Sequence, residues 1–267
     1  MRIAIDHKTQ YRFSEPQARI VQMLRLTPCD TEDQTVVSWR IGMDCDARLR
    51  DAVDGFGNIV TMLYAEGPIA ALDLTVTGEV LTAQNVGVVR AAHEPLPPVF
   101  FMRSTPRTLA DAALAEFARE TAKGDALERL HTLNIALHGR FPYTPDLADR
   151  GCTAAKAFAA DTLTSRDVAQ IFIAAARHIG APSRYVSGYR RDGEAHSAPH
   201  AWAEAWVEDI GWIGFDPATG LSPDETYVRV AVGLDATGAA PIAGTRVGQG
   251  VERLDVDLQV ERLGGEE

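Results

Sequence analysis

The stretch from Leu163 to Gly220 leaves this chain few ways to fold. It opens on Thr164-Ser165-Arg166-Asp167, after which Val168, Ile171, Phe172, Ala175 and Ile179 recur at helical spacing until Gly180 and Pro182 stop the pattern. Either Thr164 or Ser165 can supply the N-cap hydroxyl, and Asp167 puts a carboxylate in the first turn, where the helix dipole favours it. Such a helix presents unpaired N–H groups beside the Ser165 side chain, a setting that favours a developing anion. Arg184 to Tyr189 then reads as a strand. Past a polar loop, His200, Trp202, Glu204 and Trp206 alternate with Ala201, Ala203, Ala205 and Val207, the period of a half-buried strand. A tight turn from Glu208 to Gly211 leads into Trp212 to Pro217. The hairpin therefore carries Asp216 back toward His200, opposite or diagonal to it according to the register. A carboxylate placed there can hold an imidazole in one tautomer and stabilise its charged form.

The remainder divides around that stretch. Residues 1–95 read as strands, with Ile3 and Ile5, Tyr11 and Phe13, Val36 to Ile41, Ile59 to Tyr64 and Leu72 to Val80 separated by turn signals, of which Asp54-Gly55-Phe56-Gly57-Asn58 is the clearest. Pro95, Pro97 and Pro98 begin a linker over 96–107. Residues 108–233 form the core. It starts with an amphipathic helix from Thr108 to about Ala122 and a second helix opened by the capping box Asp125-x-x-Glu128. Residues 234–267 end the chain with an alternating strand, Val251 to Val260, that adds to one of the sheets. The fold class expected is α+β.

A chain of 267 residues is long enough for a real core, and its formal charge of -11 argues against nucleic acid or an anionic membrane as a partner. No stretch is long enough to cross a bilayer, and the first residues lack the apolar run of a secretory signal, so the expected compartment is the cytoplasm. Cys29, Cys45 and Cys152 are odd in number with no CxxC spacing, which suits free thiols. Cys152 lies shortly upstream of Ser165 but belongs to a loop before a short helix. His196 and His200 are four apart, yet Pro199 and a loop-to-strand junction keep the two rings off a shared helical face, so no metal and no cofactor are expected.

The run S-R-D-x-A-x-I-F-I-A-A-A-R-x-x-G-x-P-x-R-Y-V-S-G-Y, then H-A-W-A-E-A-W and G-W-x-G-F-D-P-A-T-G, resembles the bacterial transglutaminase-like family of the papain-type fold. The opening L-R-L-T-P, the D-x-F-G-N turn and the closing Y-V-R-V-A-V-G-x-D are similar to the same family. The resemblance implies an N-terminal antiparallel β-sandwich-like domain followed by helices packed on an antiparallel sheet. It also implies a catalytic triad whose positions fall on Ser165, His200 and Asp216, with activity on amide bonds of peptides or proteins. The segment Phe141 to Pro145 resembles the family's approach to the active-site entrance, where Tyr143 would line the substrate groove.

The chain departs from that pattern at the nucleophile, which is Ser where the family has Cys, and at Gln170, where a His is usual. A thiol in such a site can ionise beside a His and a helix N-terminus, whereas a hydroxyl must lose its proton to His200 during attack. Two readings follow: a specialised serine-dependent acyl transferase or amidase, or a protein that binds a peptide or protein in the old groove without turnover. Trp202 beside His200 could shield the ring or meet the substrate, and Glu204 shares its strand face. Arg166, unfavourable at a helix start, could pair with Asp167 or another carboxylate, or recognise an acidic substrate group.

Overall fold

The computed structural model describes residues 1–84, 86–142, 144, 151–193 and 199–264. Its first sheet is built on two long strands, β1 (Arg2–Thr27) and β4 (Ile59–Thr82), which pair antiparallel along almost their whole length. The outer side of β4 takes β2 (Gln34–Met43) and β3 (Ala47–Val53). Ile59 to Tyr64 and Leu72 to Val80, expected as two strands, are one. Register shifts between Arg12 and Arg19 absorb Glu15-Pro16, and both strands continue beyond. Tyr11, Leu72 and Leu74 from one side of this irregularity pack in one cluster with Ile20, Leu24 and Leu63 from the other. The sheet thus closes on its own core in the sandwich-like manner expected.

The second sheet has the order β5 (Val88–Val89), β8 (Gly211–Phe215), β7 (His200–Val207), β6 (Ser183–Arg190) and β9 (Tyr227–Gly233), and all its pairings are antiparallel. Among the described residues four α-helices accompany it: α1 (Ala112–Thr121), α2 (Ala126–Arg140), α3 (Ala154–Phe158) and α4 (Ser165–His178). The fold is α+β.

The alternation along β7 explains the layering. Ala201, Ala203 and Ala205 belong to the same core cluster as Ile171, Phe172 and Ala175 of α4, so small residues let the helix lie close. Trp202 belongs to a different cluster, with Val186, Tyr227 and Val232. Gly188 is required opposite His200, because a Cβ there would stand 2.1 Å from the Val228 carbonyl oxygen and 2.8 Å from the Trp202 ring. The two sheets meet where Ile3, Ile5, Val80 and Leu258 pack on Tyr189, Val228 and Val230. Burial of each such side chain contributes about 1.5–3 kcal/mol.

Three details depart from the sequence reading. The residues expected as a linker hold a 3-10 helix, Pro98–Met102, whose Phe101 is buried and meets the Trp212 ring edge-on at 5.1 Å. The first helix begins at Ala112, capped by Asp111, and not at Thr108. The chain end supplies two strands, β10 (Ile242–Val247) and β11 (Glu252–Arg262), both paired to β1. All three cysteines are free and partly exposed.

Candidate active site

Thr164, not Ser165, caps α4. Its hydroxyl accepts the Asp167 N–H and donates to Asp167 Oδ2 at 2.8 Å, while that carboxylate also takes the Thr164 N–H, closing a capping box. Ser165 is therefore the first residue of the helix proper, and its N–H has no intrahelical acceptor. Asp167 is held by the cap.

Ala203 pairs with Phe215, so the next step of the register sets Asp216 across from Trp202 and diagonal to His200. The diagonal is closed by a hydrogen bond of 2.7 Å between His200 Nε2 and Asp216 Oδ2. Asp216 is fully buried. Tyr227 donates its hydroxyl to the same Oδ2 at 2.7 Å, and Oδ1 accepts the Ala218 N–H at 3.0 Å. Burial alone would raise the Asp216 pKa, but the charge and hydrogen bond of His200, with the Tyr227 and Ala218 donors, outweigh it and hold the carboxyl below its ordinary value. Burial and the neighbouring Asp216 push the Tyr227 phenol well up, so it stays protonated and donating.

The Ser165 hydroxyl accepts the N–H of Ala201, the residue after His200, at 3.3 Å. The three sequence-predicted residues are thus tied into one locus: hydroxyl to the start of β7, imidazole at that start, carboxylate behind it. In front lies a cleft of about 400 Å³ whose walls include His200, Ala201, Arg166 and Arg107, with His7, Tyr11, Leu254 and Val256 of the first sheet opposite. Ser165 is only 6 % exposed and is not among the residues that line this cleft.

Trp202 does not reach the cleft. Its ring stacks on His200 with centroids 6.4 Å apart, Tyr227 meets both rings edge-on, and Trp202 lines a separate cavity of about 50 Å³. It packs behind the imidazole and shields it, so the expectation that it meets substrate gives way to a supporting place. Glu204 is also held away, fully buried between Arg184 (2.6 Å) and Arg229 (2.7 Å). Burial would raise its pKa, but the two guanidinium groups draw it down to about 2. Gln170 donates to the Cys152 carbonyl at 3.4 Å, and its own Oε1 has no hydrogen-bond partner among the described residues. Tyr143 and His196 lie outside the described residues. Among the described residues no group of three or more His, Cys, Asp or Glu is placed to hold a metal, and no helix is long and apolar enough to span a membrane.

Residues 3–81 match the model of the bacterial transglutaminase-like N-terminal region, and residues 113–217 match that of the transglutaminase-like superfamily. The chain belongs to the transglutaminase-like superfamily. Both halves of this transglutaminase-like chain are accounted for, since the second match spans α1 through the His200–Asp216 hairpin. An uncharacterized protein of Mycobacterium leprae (strain TN) is 28 % identical over 283 residues, covering 98 % of this chain and 99 % of that protein. An uncharacterized protein of Mycobacterium tuberculosis (strain H37Rv) is 24 % identical over 91 % of this chain and 87 % of its own. A solved structure of a candidate cysteine protease from Cytophaga hutchinsonii superposes with a TM-score of 0.79 at 18 % identity, covering all of this chain and 92 % of that one, which shows the shared fold.

Sequence reasoning missed Tyr227 and Arg107. Tyr227 opens the run Y-V-R-V-A-V-G, legible as a strand, but nothing local says that this strand lies beside β6 and aims its first side chain at Asp216.

Proposed function

We propose that the protein is an acyl-transfer enzyme acting on amide bonds of peptides or proteins through Ser165, with His200 as general base and Asp216 as its orienting carboxylate. The observation that carries the reading is the buried His200–Asp216–Tyr227 chain of hydrogen bonds, held next to a serine hydroxyl at a helix start. With Nε2 committed to Asp216, Nδ1 is the nitrogen through which the ring acts on the hydroxyl. The hydroxyl accepts from Ala201 and so retains its own proton to give.

In the reaction, Ser165 Oγ attacks the amide carbon while its proton passes to His200. The tetrahedral oxyanion meets the N–H groups at the start of α4, collapse expels the amine with the proton from the imidazolium, and water or a second amine takes the acyl group from the serine. Asp216 stays ionised throughout and stabilises the imidazolium.

A second reading, a groove that binds a peptide or protein without turnover, is favoured by the burial of Ser165, which is 6 % exposed and not part of the cleft wall. An activated acyl ester separates the two. The enzyme gives a pre-steady-state burst of leaving group equal to the protein concentration, lost in Ser165→Ala, whereas a binder gives no burst while still retaining peptide.

A further inference from the structure

We propose that Gln34 and Thr82 of the first sheet are positioning residues of the active site, which grip the outer edge of β9 and so set the Tyr227 hydroxyl against Asp216; this rests on the reading above only in taking His200 and Asp216 as the working pair. Among the described residues, β9 ends the second sheet and is hydrogen-bonded to another strand, β6, on one side alone. Its other edge leaves backbone N–H and C=O groups to be satisfied. Side chains of the first sheet take them. Gln34 Oε1 accepts the Arg229 N–H at 2.8 Å, and its Nε2 donates to the Arg229 carbonyl at 2.9 Å. Asn58 does the same for Val232 at the far end, at 2.8 Å in each direction. Each amide copies the two bonds that a neighbouring strand would offer. A register shift between Ser187 and Gly188 in the pairing of β6 with β9 lets residues three apart both turn outward.

Neither amide is free to turn. Gln34 Nε2 also donates to the Cys29 carbonyl at 2.8 Å, and Asn58 Nδ2 to Asp54 Oδ2 at 3.0 Å, a carboxylate that Arg25 holds at 2.9 Å. Flipping either amide would set NH2 against N–H and oxygen against oxygen. Both are buried, so water cannot replace what they supply. Thr82, the last residue of β4 and also buried, donates its hydroxyl to the Glu225 carbonyl at 2.6 Å. Tyr227, the first residue of β9, is therefore bracketed: its backbone is held two residues before it by Thr82 and two residues after it by Gln34. From that fixed point the phenol reaches Asp216 Oδ2, the same atom that His200 meets. An error of ~1 Å in such an array costs about 10²-fold in rate, even when its origin is remote from the chemistry. The first sheet is thereby part of the framework that aims the carboxylate.

The test is the NMR resonance of Tyr227 Cζ in the full-length protein labelled at tyrosine Cζ, identified by its loss in Tyr227→Phe. Its position reports how strongly the phenol donates, and Asp216→Asn marks where it goes when the charged acceptor is removed. Gln34→Leu and Thr82→Val should each move it toward the Asp216→Asn position. Thr82→Ser, which keeps the donor, and Leu63→Ala, which weakens the first sheet's own core, should leave it in place. Thr82→Val preserves the shape of the side chain and carries the test should Gln34→Leu not fold. A signal unmoved in either folded variant, or moved as far by Thr82→Ser or Leu63→Ala, would overturn the assignment. Because the readout needs no serine, an inert Ser165 refutes the acyl-transfer reading without touching this one, and an active Ser165 with an unmoved Tyr227 signal refutes this one alone.

Discussion

His200 Nε2 and Asp216 Oδ2 stand 2.7 Å apart across the diagonal of a hairpin, both buried, with Trp202 and Tyr227 packed against the imidazole. A buried ionised carboxylate is costly unless it is fully hydrogen-bonded, and this one takes donors on both oxygens. Asp216→Asn keeps the shape but removes the charge that stabilises the imidazolium. Reaction of Ser165 with an acylating probe should then slow by roughly 10²–10⁴-fold, measured as the pseudo-first-order labelling rate.

Tyr227→Phe tests the second donor. The phenol favours the ionised form of Asp216, so its loss raises the carboxyl pKa, and the acid limb of the Ser165 labelling rate should move to higher pH. Stability should fall by about 1–2 kcal/mol in denaturant unfolding, the cost of one lost hydrogen bond to a charged acceptor. A variant that loses stability with an unmoved acid limb would make Tyr227 purely structural.

Acid sensitivity should begin at His7, which sits between Tyr189 and Thr9 where the two sheets meet, 4 % exposed. Burial pushes its pKa from 6.5 down to about 4, so the folded state keeps the ring neutral where the unfolded chain protonates it. Its contribution is fully present above pH 6.5 and is lost as pH falls through about 4, a swing of up to about 3 kcal/mol. Thermal melts of the wild type should drop over that interval more steeply than those of His7→Gln. Parallel curves would contradict the assignment.

The sequence revealed most where contacts are local. The capping motif, the 3.6-residue period and the alternation of alanines with His200, Trp202 and Glu204 each describe a neighbour a few residues away, and α4, β7 and β8 came out where they were expected. The diagonal place of Asp216 depended on register, which the alternation alone does not set. Arg177 shows the limit: its buried guanidinium donates to the carbonyls of Phe101, Ser183 and Leu234 and to the Thr108 hydroxyl, drawn from segments far apart in the chain. No pattern marks a carbonyl as an acceptor for a distant cation. The long strands misled for the opposite reason: Ile59 to Tyr64 and Leu72 to Val80, read as separate strands, are one, because a bulged strand pair absorbs the Gly67-Pro68 between them.

The central claim is that Ser165 is a nucleophile activated by His200. The direct measurement is peptide-mapping mass spectrometry after treatment with a fluorophosphonate probe, on the wild type and on His200→Ala. The account predicts one adduct per chain, located on Ser165 in the wild type and missing from the variant. An unmodified Ser165 in a folded wild-type protein, or equal modification with and without the imidazole, would contradict it.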